Sequence, residues 1–386
     1  MKNIILLILP LFFCHTGWSQ FVNTYAGPQT GINDAIVFDQ HGNLFGSKFA
    51  LNAVNGSSIY KITPDGVVST FSTGYSACNG LTFDHSGTLY VVDYTSSTAN
   101  HQVYKVNNVG VKTAYGPKIP GASGIAIDPL SDTIYVSSYL GNKIVKLAPN
   151  GVVTTFCDNA LLDGPVGMTF DKQNVLYVAN FNDGKVFKVS HNGDSLKFLG
   201  EVPSVNSFGI GFIAYANYKI YATGIGVHKI YEIDLNGGVS EFAGTGTPGV
   251  INGAVDTASF SRPNGITTNF AGDSLFISDA GSFSIRTISD FVTSNQEVGG
   301  AHISEITTFP NPSYSRFELK GDWVNKDDLR VDVLSITGSV IWTSQIVNRS
   351  TKSYRLLVSN HDLPKGVYFV NVSSKHASKT TKHVSR

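Results

Sequence analysis

Asparagine and aspartate side chains recur at matching places in a series of similar short segments along the chain. Carboxylate and amide oxygens are ligands that calcium prefers, so a convergent set of them would hold one Ca²⁺ ion. The alternative role is structural, because Asn and Asp side chains also cap turns and accept hydrogen bonds from backbone N–H groups. The candidates for a ligand or ion site are Asp34, Asn79, Asp93, Asn180, Asn264 and Asp279, of which Asn79, Asp93, Asn264 and Asp279 form the candidate calcium set.

Two tyrosines beside these positions are candidates for contact with a ligand. Tyr94 follows Asp93, and Tyr139 follows Ser138 at the corresponding place in the next segment. Their rings could stack on a sugar or a peptide, or they could pack between neighbouring elements of the fold.

Several other chemistries lack the residues that they need. His41, His85 and His191 lie in predicted hairpin turns, so they are not placed to bind zinc together. No Gly-x-Ser-x-Gly motif is present, and no serine has a matching histidine partner. Charged residues make up 15% of the chain and the net charge is zero, which argues against nucleic acid as a partner. The sequence favours binding and leaves catalysis open.

The segments that carry the candidate residues are repeats of about 40–45 residues. The segments "NGLTFDHSGTLYVVDY" (79–94) and "VGMTFDKQNVLYVANF" (166–181) match, and each predicts two strands around a turn. A third and a fourth strand follow. Four antiparallel strands in a repeat of this length are typical of propeller blades, which bury their two apolar faces by stacking in a closed ring.

Each of six first strands opens with a small residue, which we call its anchor: Ala35, Gly80, Gly124, Gly167, Gly209 and Gly265. The sixth repeat stops at Ser289 without a fourth strand. The segment "FVNTYAG" (21–27) resembles "GVSEFAG" (238–244), a fourth strand of the fifth repeat. We therefore predict that residues 21–27 close the ring as the outermost strand of the sixth blade. The predicted fold class is all-β: a six-bladed β-propeller closed by its N-terminal strand, then a small Ig-like β-sandwich.

This fold would place two rings of side chains at one mouth of the central channel. The first ring contains the residue before each anchor: Asp34, Asn79, Ser123, Val166, Phe208 and Asn264. The second contains the residue three after each second-strand aromatic: Lys48, Asp93, Ser138, Asn180, Gly224 and Asp279. Both rings lie at the same end because the two strands form a hairpin. Cys78 and Cys157 fall in different blades, so we predict two free thiols.

The repeats resemble NHL repeats and, more widely, gluconolactonase-like six-bladed propellers. The segment "AGTGTPGVINGAVDTASFSRPNGIT" (243–267) is the closer match to the NHL pattern. Members of such families serve as binding scaffolds, lactonases or lyases, so the resemblance specifies the fold better than the function. It also implies a divalent ion held by inner-strand Asn and Asp side chains. The family adds a Glu ligand in the first blade, whereas "GINDAIVF" (31–38) contains none.

The last part of the chain resembles the C-terminal sorting domain of the type IX secretion system. The resemblance is carried by "FPNPS" (309–313), "VDVLSITGSVIW" (331–342), "LPKGVYFVNV" (363–372) and "KTTKHV" (379–384). It implies that the type IX secretion machinery is a partner and that the protein is secreted, either extracellular or attached to the outer cell surface. An Ig-like adhesive module is the alternative for this segment.

The predicted domains are a signal peptide at 1–19, the propeller at 20–289, a linker at 290–302 and the sorting domain at 303–386. The apolar run in the first segment is shorter than a membrane span, so no transmembrane segment is expected after signal removal. The expected function is a binding scaffold for a protein or a glycan. The alternatives are a divalent-metal-dependent lactonase or lyase and a structural adhesive surface protein.

Overall fold

The computed structural model describes residues 20–50, 57–95, 101–148, 150–205, 208–269, 272 and 274–289, and seven strands between 307 and 385. The regular elements in these ranges are all strands. Within them there is no helix of the length and hydropathy needed to cross a bilayer. The signal peptide and the linker that the sequence predicts lie outside the described residues.

Residues 21–289 form six antiparallel sheets. The chain opens with β1 (Phe21–Ala26). The first sheet contains β2 (Ile36–Phe38), β3 (Leu44–Ser47), β4 (Ser57–Ile62) and β5 (Val68–Tyr75). The second contains β6 (Cys78–Phe83), β7 (Leu89–Asp93), β8 (Gln102–Val106) and β9 (Lys112–Ala114). The third contains β10 (Ala122–Ile127), β11 (Ile134–Ser138), β12 (Lys143–Leu147) and β13 (Val153–Cys157).

The remaining three sheets repeat this order. The fourth contains β14 (Pro165–Phe170), β15 (Leu176–Asn180), β16 (Lys185–Val189) and β17 (Leu196–Glu201). The fifth contains β18 (Ile210–Ala216), β19 (Lys219–Gly224), β20 (Lys229–Asp234) and β21 (Val239–Ala243). The sixth combines β1 with β22 (Gly253–Ala254), β23 (Pro263–Thr268), β24 (Leu275–Asp279) and β25 (Ser284–Ser289).

Burial along the strands explains why these sheets must stack. The second strands β7, β11, β15 and β24 are buried at every residue, so both of their faces pack against apolar neighbours. The fourth strands β13 and β21 carry exposed residues, as expected at an outer rim. One apolar cluster joins Tyr135 and Ile144 of the third sheet to Val178 and Phe187 of the fourth. A sheet with two apolar faces is stable only between two others.

The first strands of successive sheets contact one another around a ring, and β23 of the sixth sheet contacts β2 of the first. This is the arrangement of a β-propeller. Gly124 demonstrates how closely the inner strands approach, because a Cβ atom there would lie 1.8 Å from the carbonyl oxygen of Val166. The sheets also share hydroxyl links. The Oγ of Ser137 accepts from Gly124 N at 2.9 Å and donates to Val166 O at 3.0 Å, which joins the third sheet to the fourth.

The prediction that the N-terminal strand joins the last repeat is confirmed. Strand β1 pairs antiparallel with β25, from Phe21 opposite Ser289 to Ala26 opposite Ile285. The predicted outermost position is wrong, because β22 pairs with the free edge of β1. The segment 243–267 folds back along β1, and Thr24 Oγ1 donates to Asn252 Oδ1 at 3.1 Å.

The last part of the chain contains two antiparallel sheets. One consists of β26 (Thr307–Phe309), β27 (Arg316–Asp322) and β30 (Ser353–Ser359), and the other of β28 (Leu329–Ser335), β29 (Val340–Ile346), β31 (Gly366–Ser373) and β32 (Ser378–Ser385). Phe317 and Leu319 of the first sheet share an apolar core with Val331 and Val370 of the second. The predicted small β-sandwich is therefore present, while its Ig-like topology stays a prediction.

Cys78 and Cys157 are both buried and are not bridged, as the sequence predicts. Burial raises the pKa of both thiols, so neither forms a reactive thiolate readily.

Candidate functional site

A cavity of about 520 Å³ opens at one end of the ring of first strands. Most of the lining residues are of two kinds: those at or just before the start of the first strands, and those that follow the second strands. Its size lies within the range of small-molecule sites, which is about 300–1,000 Å³. The lining consists of Asn33, Asp34, Phe49, Asn79, Tyr94, Ser123, Tyr139, Val166, Phe181, Phe208, Ile225, Arg262, Asn264, Ala280, Gly281 and Phe283.

All six residues of the predicted first ring line this cavity. In the fifth sheet, however, the predicted register is wrong. Ile210 pairs with Gly224 as Pro165 pairs with Asn180 in the fourth sheet. Phe212, rather than Gly209, therefore stands at the anchor position. Phe208 reaches the cavity from the connection that precedes β18.

Hydrogen bonds join neighbouring members of the first ring. The amide of Asn264 donates to Asp34 Oδ1 at 2.9 Å, and that of Asn79 donates to Ser123 Oγ at 2.8 Å. These four side chains form a polar arc on one side of the cavity. Burial raises the pKa of Asp34 to about 8, although hydrogen bonds from Asn264 and from the backbone of Ala35 oppose the shift. At neutral pH the arc therefore presents mostly neutral donors and acceptors.

The residues of the second predicted ring do not line the cavity; the residues one position later in the chain do. Asp93 Oδ1 accepts hydrogen bonds from the backbone N–H groups of Ser76 at 2.8 Å and Ala77 at 2.9 Å. Asp279 Oδ1 accepts from Ser261 N at 2.6 Å. Each carboxylate lies at the end of its second strand and accepts hydrogen bonds from the backbone of the loop that precedes the first strand of the same sheet. The residues that reach the cavity are the next ones along the chain: Phe49, Tyr94, Tyr139, Phe181, Ile225 and Ala280.

The candidate calcium set does not converge on one point. Asn79 and Asn264 line the cavity, but Asp93 and Asp279 do not, and neither does Asn180, whose amide donates to Leu161 O at 2.9 Å. Among the residues that the structure describes, no three His, Cys, Asp or Glu side chains are close enough to hold a metal ion. Calcium takes six to eight oxygen ligands. The one carboxylate in the described lining, Asp34, already accepts from Asn264, so this donor set does not fit the ion that the resemblance implies.

Aromatic rings form a second part of the cavity lining, the aromatic wall. Tyr139 and Phe181, on adjacent sheets, meet edge to face with centroids 5.9 Å apart, and Phe208 meets Phe181 at 5.7 Å. Phe49 and Tyr94 form a tilted pair at 6.0 Å. Tyr94 and Tyr139 therefore pack against neighbouring aromatic rings and also line the cavity, while their stacking on a ligand stays a prediction.

Arg262 is a lining residue that the sequence reasoning misses. It precedes β23 at the end of the segment 243–267, and its guanidinium carbon lies 5.0 Å from the centroid of the Phe208 ring. No other repeat has an insertion here, so there is no aligned position that would draw attention to it. The aromatic residues after the second strands did leave a signal, since Phe49, Tyr94, Tyr139 and Phe181 recur at one place in four successive repeats.

Comparison with known proteins assigns the last part of the chain. Residues 307–386 match the family described as the secretion system C-terminal sorting domain. This part of the protein is therefore a type IX sorting domain, and the protein is exported to the cell surface or the extracellular space. No match was found among curated proteins.

Solved structures support the propeller fold. An auxiliary nutrient binding protein from Bacteroides ovatus is 17% identical with a TM-score of 0.59, covering 71% of this chain and 77% of its own. A putative gluconolactonase is 12% identical with a TM-score of 0.52, covering 71% and 93%. A virginiamycin B lyase from Staphylococcus aureus, inactivated and bound to quinupristin, is 17% identical with a TM-score of 0.50, covering 67% and 80%. At these identities the likeness concerns the fold alone.

Proposed function

We propose that the protein is an exported binding scaffold whose cavity recognises a glycan. The scaffold would be a six-bladed propeller at residues 20–289, preceded by a signal peptide at 1–19 and joined by a linker at 290–302 to the sorting domain at 303–386. The six sheets between residues 21 and 289 support this blade count.

One observation carries the proposal: the repeats bring amide and hydroxyl groups together with aromatic rings in the lining of one cavity. Sugars have this dual character, since their C–H faces stack on aromatic rings and their hydroxyls bond to amides. Asn79, Ser123 and Asn264 supply the polar groups, and Tyr139 and Phe181 supply stacking surfaces. The Bacteroides ovatus nutrient binding protein, which shares the fold, is compatible with a role in binding.

Screening the purified full chain on an array that contains both glycans and peptides tests this function. We expect binding to one class of glycan, weakened at least about tenfold by Tyr139→Ala, because one stacking surface is lost. Phe198→Ala is the matched control, since Phe198 is 51% exposed on the outer strand β17, away from the cavity lining. Binding to peptides alone, or equal loss in both variants, would contradict a glycan site in the cavity.

A further inference from the structure

Arg262 is the only cationic side chain in the described lining of the cavity. No carboxylate among the described residues lies within ion-pair distance of the Arg262 guanidinium. By contrast, the ammonium group of Lys219 is paired with Glu232 at 2.7 Å. The guanidinium lies over the ring of Phe208, and Arg262 is an exposed residue of the cavity lining. Asp34, the one carboxyl in the described lining, is kept largely neutral at pH 7 by burial. The cavity therefore offers a positive charge without an internal counter-ion.

The backbone around Arg262 is held on both sides. Its N–H donates to His228 Nδ1 at 3.0 Å, and its carbonyl accepts from Ala280 N at 3.1 Å. The residue adopts a φ of 59°, a left-handed conformation that is unfavourable for a side chain with a Cβ. Such strain persists only where surrounding contacts impose it, and it is common at ligand sites. These contacts fix the point from which the arginine side chain starts.

A second, fully buried arginine fixes the loop that leads to Arg262. Arg286, on β25, donates to Ser259 O at 2.8 Å and to Ile251 O at 3.0 Å. Its guanidinium carbon lies 5.3 Å from the centroid of the Phe260 ring. The segment 251–262 is thereby tied to the closing strand pair of the ring. A loop bound at this many points is suited to presenting one side chain in a constant place.

We propose that the cavity selects an acidic sugar, and that the guanidinium of Arg262 binds its carboxylate. This inference rests on the proposed glycan function and names the ligand class of the same cavity. The planar guanidinium matches the two oxygens of a carboxylate with paired hydrogen bonds. The amides of Asn79 and Asn264 then face the hydroxyls of the same sugar, and the aromatic wall receives its apolar face. A uronic acid residue combines these three features.

The decisive comparison uses a matched pair of probes: oligogalacturonate and the same oligomer as its methyl ester. The ester keeps the ring and hydroxyls and removes the charge. In titration calorimetry with the full chain, we expect the acid to bind at least about tenfold more tightly than the ester. We expect Arg262→Gln to remove this preference, while Arg330→Gln, a surface change in the sorting domain, keeps it.

The outcomes separate the two proposals. Equal binding of acid and ester by the unaltered protein overturns the role of Arg262 and leaves a glycan function standing. Failure of every glycan on the array overturns both. The comparison of the two probes on the unaltered protein needs no variant, so it decides the question even if Arg262→Gln fails to fold. Loss of the acid preference at raised salt concentration gives a further expected result, because solvent ions screen an exposed ion pair.

Discussion

The amide nitrogen of Asn264 donates a hydrogen bond of 2.9 Å to Asp34 Oδ1, although the two residues are 230 positions apart in the chain. Asn264 lies on the sixth sheet, and Asp34 directly precedes the first. The same amide also donates to Asn33 O at 3.1 Å. The seam of the ring therefore coincides with the polar arc of the cavity, so ring closure and cavity shape depend on the same contact.

Asp34→Asn tests the buried carboxyl in this seam. The folded pKa of about 8 exceeds the unfolded value of 3.8, so the folded state holds the extra proton between these pH values. Protonation of Asp34 therefore stabilises the folded state, and this contribution is complete below pH 3.8. As pH rises towards 8 the free energy of unfolding falls by at most about 1.4 kcal/mol per pH unit. We expect the variant to flatten this slope and to be more stable than the unaltered protein at pH 8, measured by urea unfolding from pH 5 to 9.

Asp84→Asn is the matched control for that experiment. Burial opposes the shift, but hydrogen bonds from Ser86, Thr88 and Tyr90 together lower the pKa of Asp84. Its carboxylate therefore stabilises the fold above its unfolded pKa, and this contribution is lost as pH falls. The same substitution should destabilise the protein at pH 8. Equal responses of the two variants would contradict the assignment of opposite pKa shifts.

Gly124→Ala tests the close approach of adjacent first strands. The added Cβ would lie 1.8 Å from Val166 O and 2.8 Å from Ser137 Oγ, so the third and fourth sheets must separate. We expect a loss of about 3 kcal/mol or more in the free energy of unfolding. At Gly27 nothing lies within 4 Å of an added Cβ, and Gly27→Ala should change stability by less than about 1 kcal/mol. Similar losses in both variants would mean that the sheets are not this close.

Val22→Asp tests closure of the ring by the first strand. Val22 is fully buried in a cluster with Ile277 and Ile288 of the sixth sheet, so an aspartate there would be an unpaired buried charge. We expect thermal unfolding to lose its cooperativity, or the free energy of unfolding to fall by about 3 kcal/mol or more. Asn23→Asp, at an exposed position of the same strand, should leave the transition nearly unchanged. An unaltered transition in Val22→Asp would contradict the pairing of β1 with β25.

Arg286→Met tests the anchor of the loop that ends at Arg262. The substitution removes the side-chain donor to Ser259 O and the cationic partner of the buried Asp279 carboxylate, and it should cost about 3 kcal/mol. We also expect limited proteolysis to cut the segment 243–262 more quickly. Lys219→Met removes a more exposed ion pair with Glu232 and should cost less than about 1 kcal/mol. If the loop resists proteolysis equally in both variants, Arg286 does not hold it.

Removal of residues 303–386 tests whether the sorting domain is needed for export but not for folding of the propeller. The truncated protein should keep the cooperative unfolding of the propeller, because the six sheets contain their own apolar clusters. It should remain inside the cell envelope, since the sorting domain is absent. Immunoblotting of cell fractions and medium measures this. Truncated protein in the medium at normal levels would contradict the export role.

The fold could be predicted from the sequence because each repeat carries the same alternation and turn signals. The partner of β1 could be predicted because Ala26 and Gly27 match Ala243 and Gly244 of a complete repeat. The strand β22 could not, because two residues, Gly253 and Ala254, carry no alternation.

The cavity was harder to predict than the fold. The first ring could be predicted because its members directly precede the anchor residues. The fifth repeat contains several glycines, so the sequence points to Gly209 as its anchor, whereas Phe212 stands at that position in the structure. The second ring failed because period-2 alternation ends where Asp93 turns back to the backbone of Ser76. Arg262 depends on a loop whose path is fixed by Arg286, and such a long-range contact leaves no periodic pattern.

The pairing of β1 with β25 has a consequence for the order of folding. The strand that leaves the ribosome first cannot find its partner until Ser289 has been made, so the ring closes over nearly the greatest sequence separation that this part of the chain allows. Contacts of this kind slow folding, because a long loop must close before the contact stabilises it. During that wait β1 has no partner and is open to association with other chains. The sorting domain follows Ser289 in the chain, so the strand that closes the ring is made before the export signal is complete.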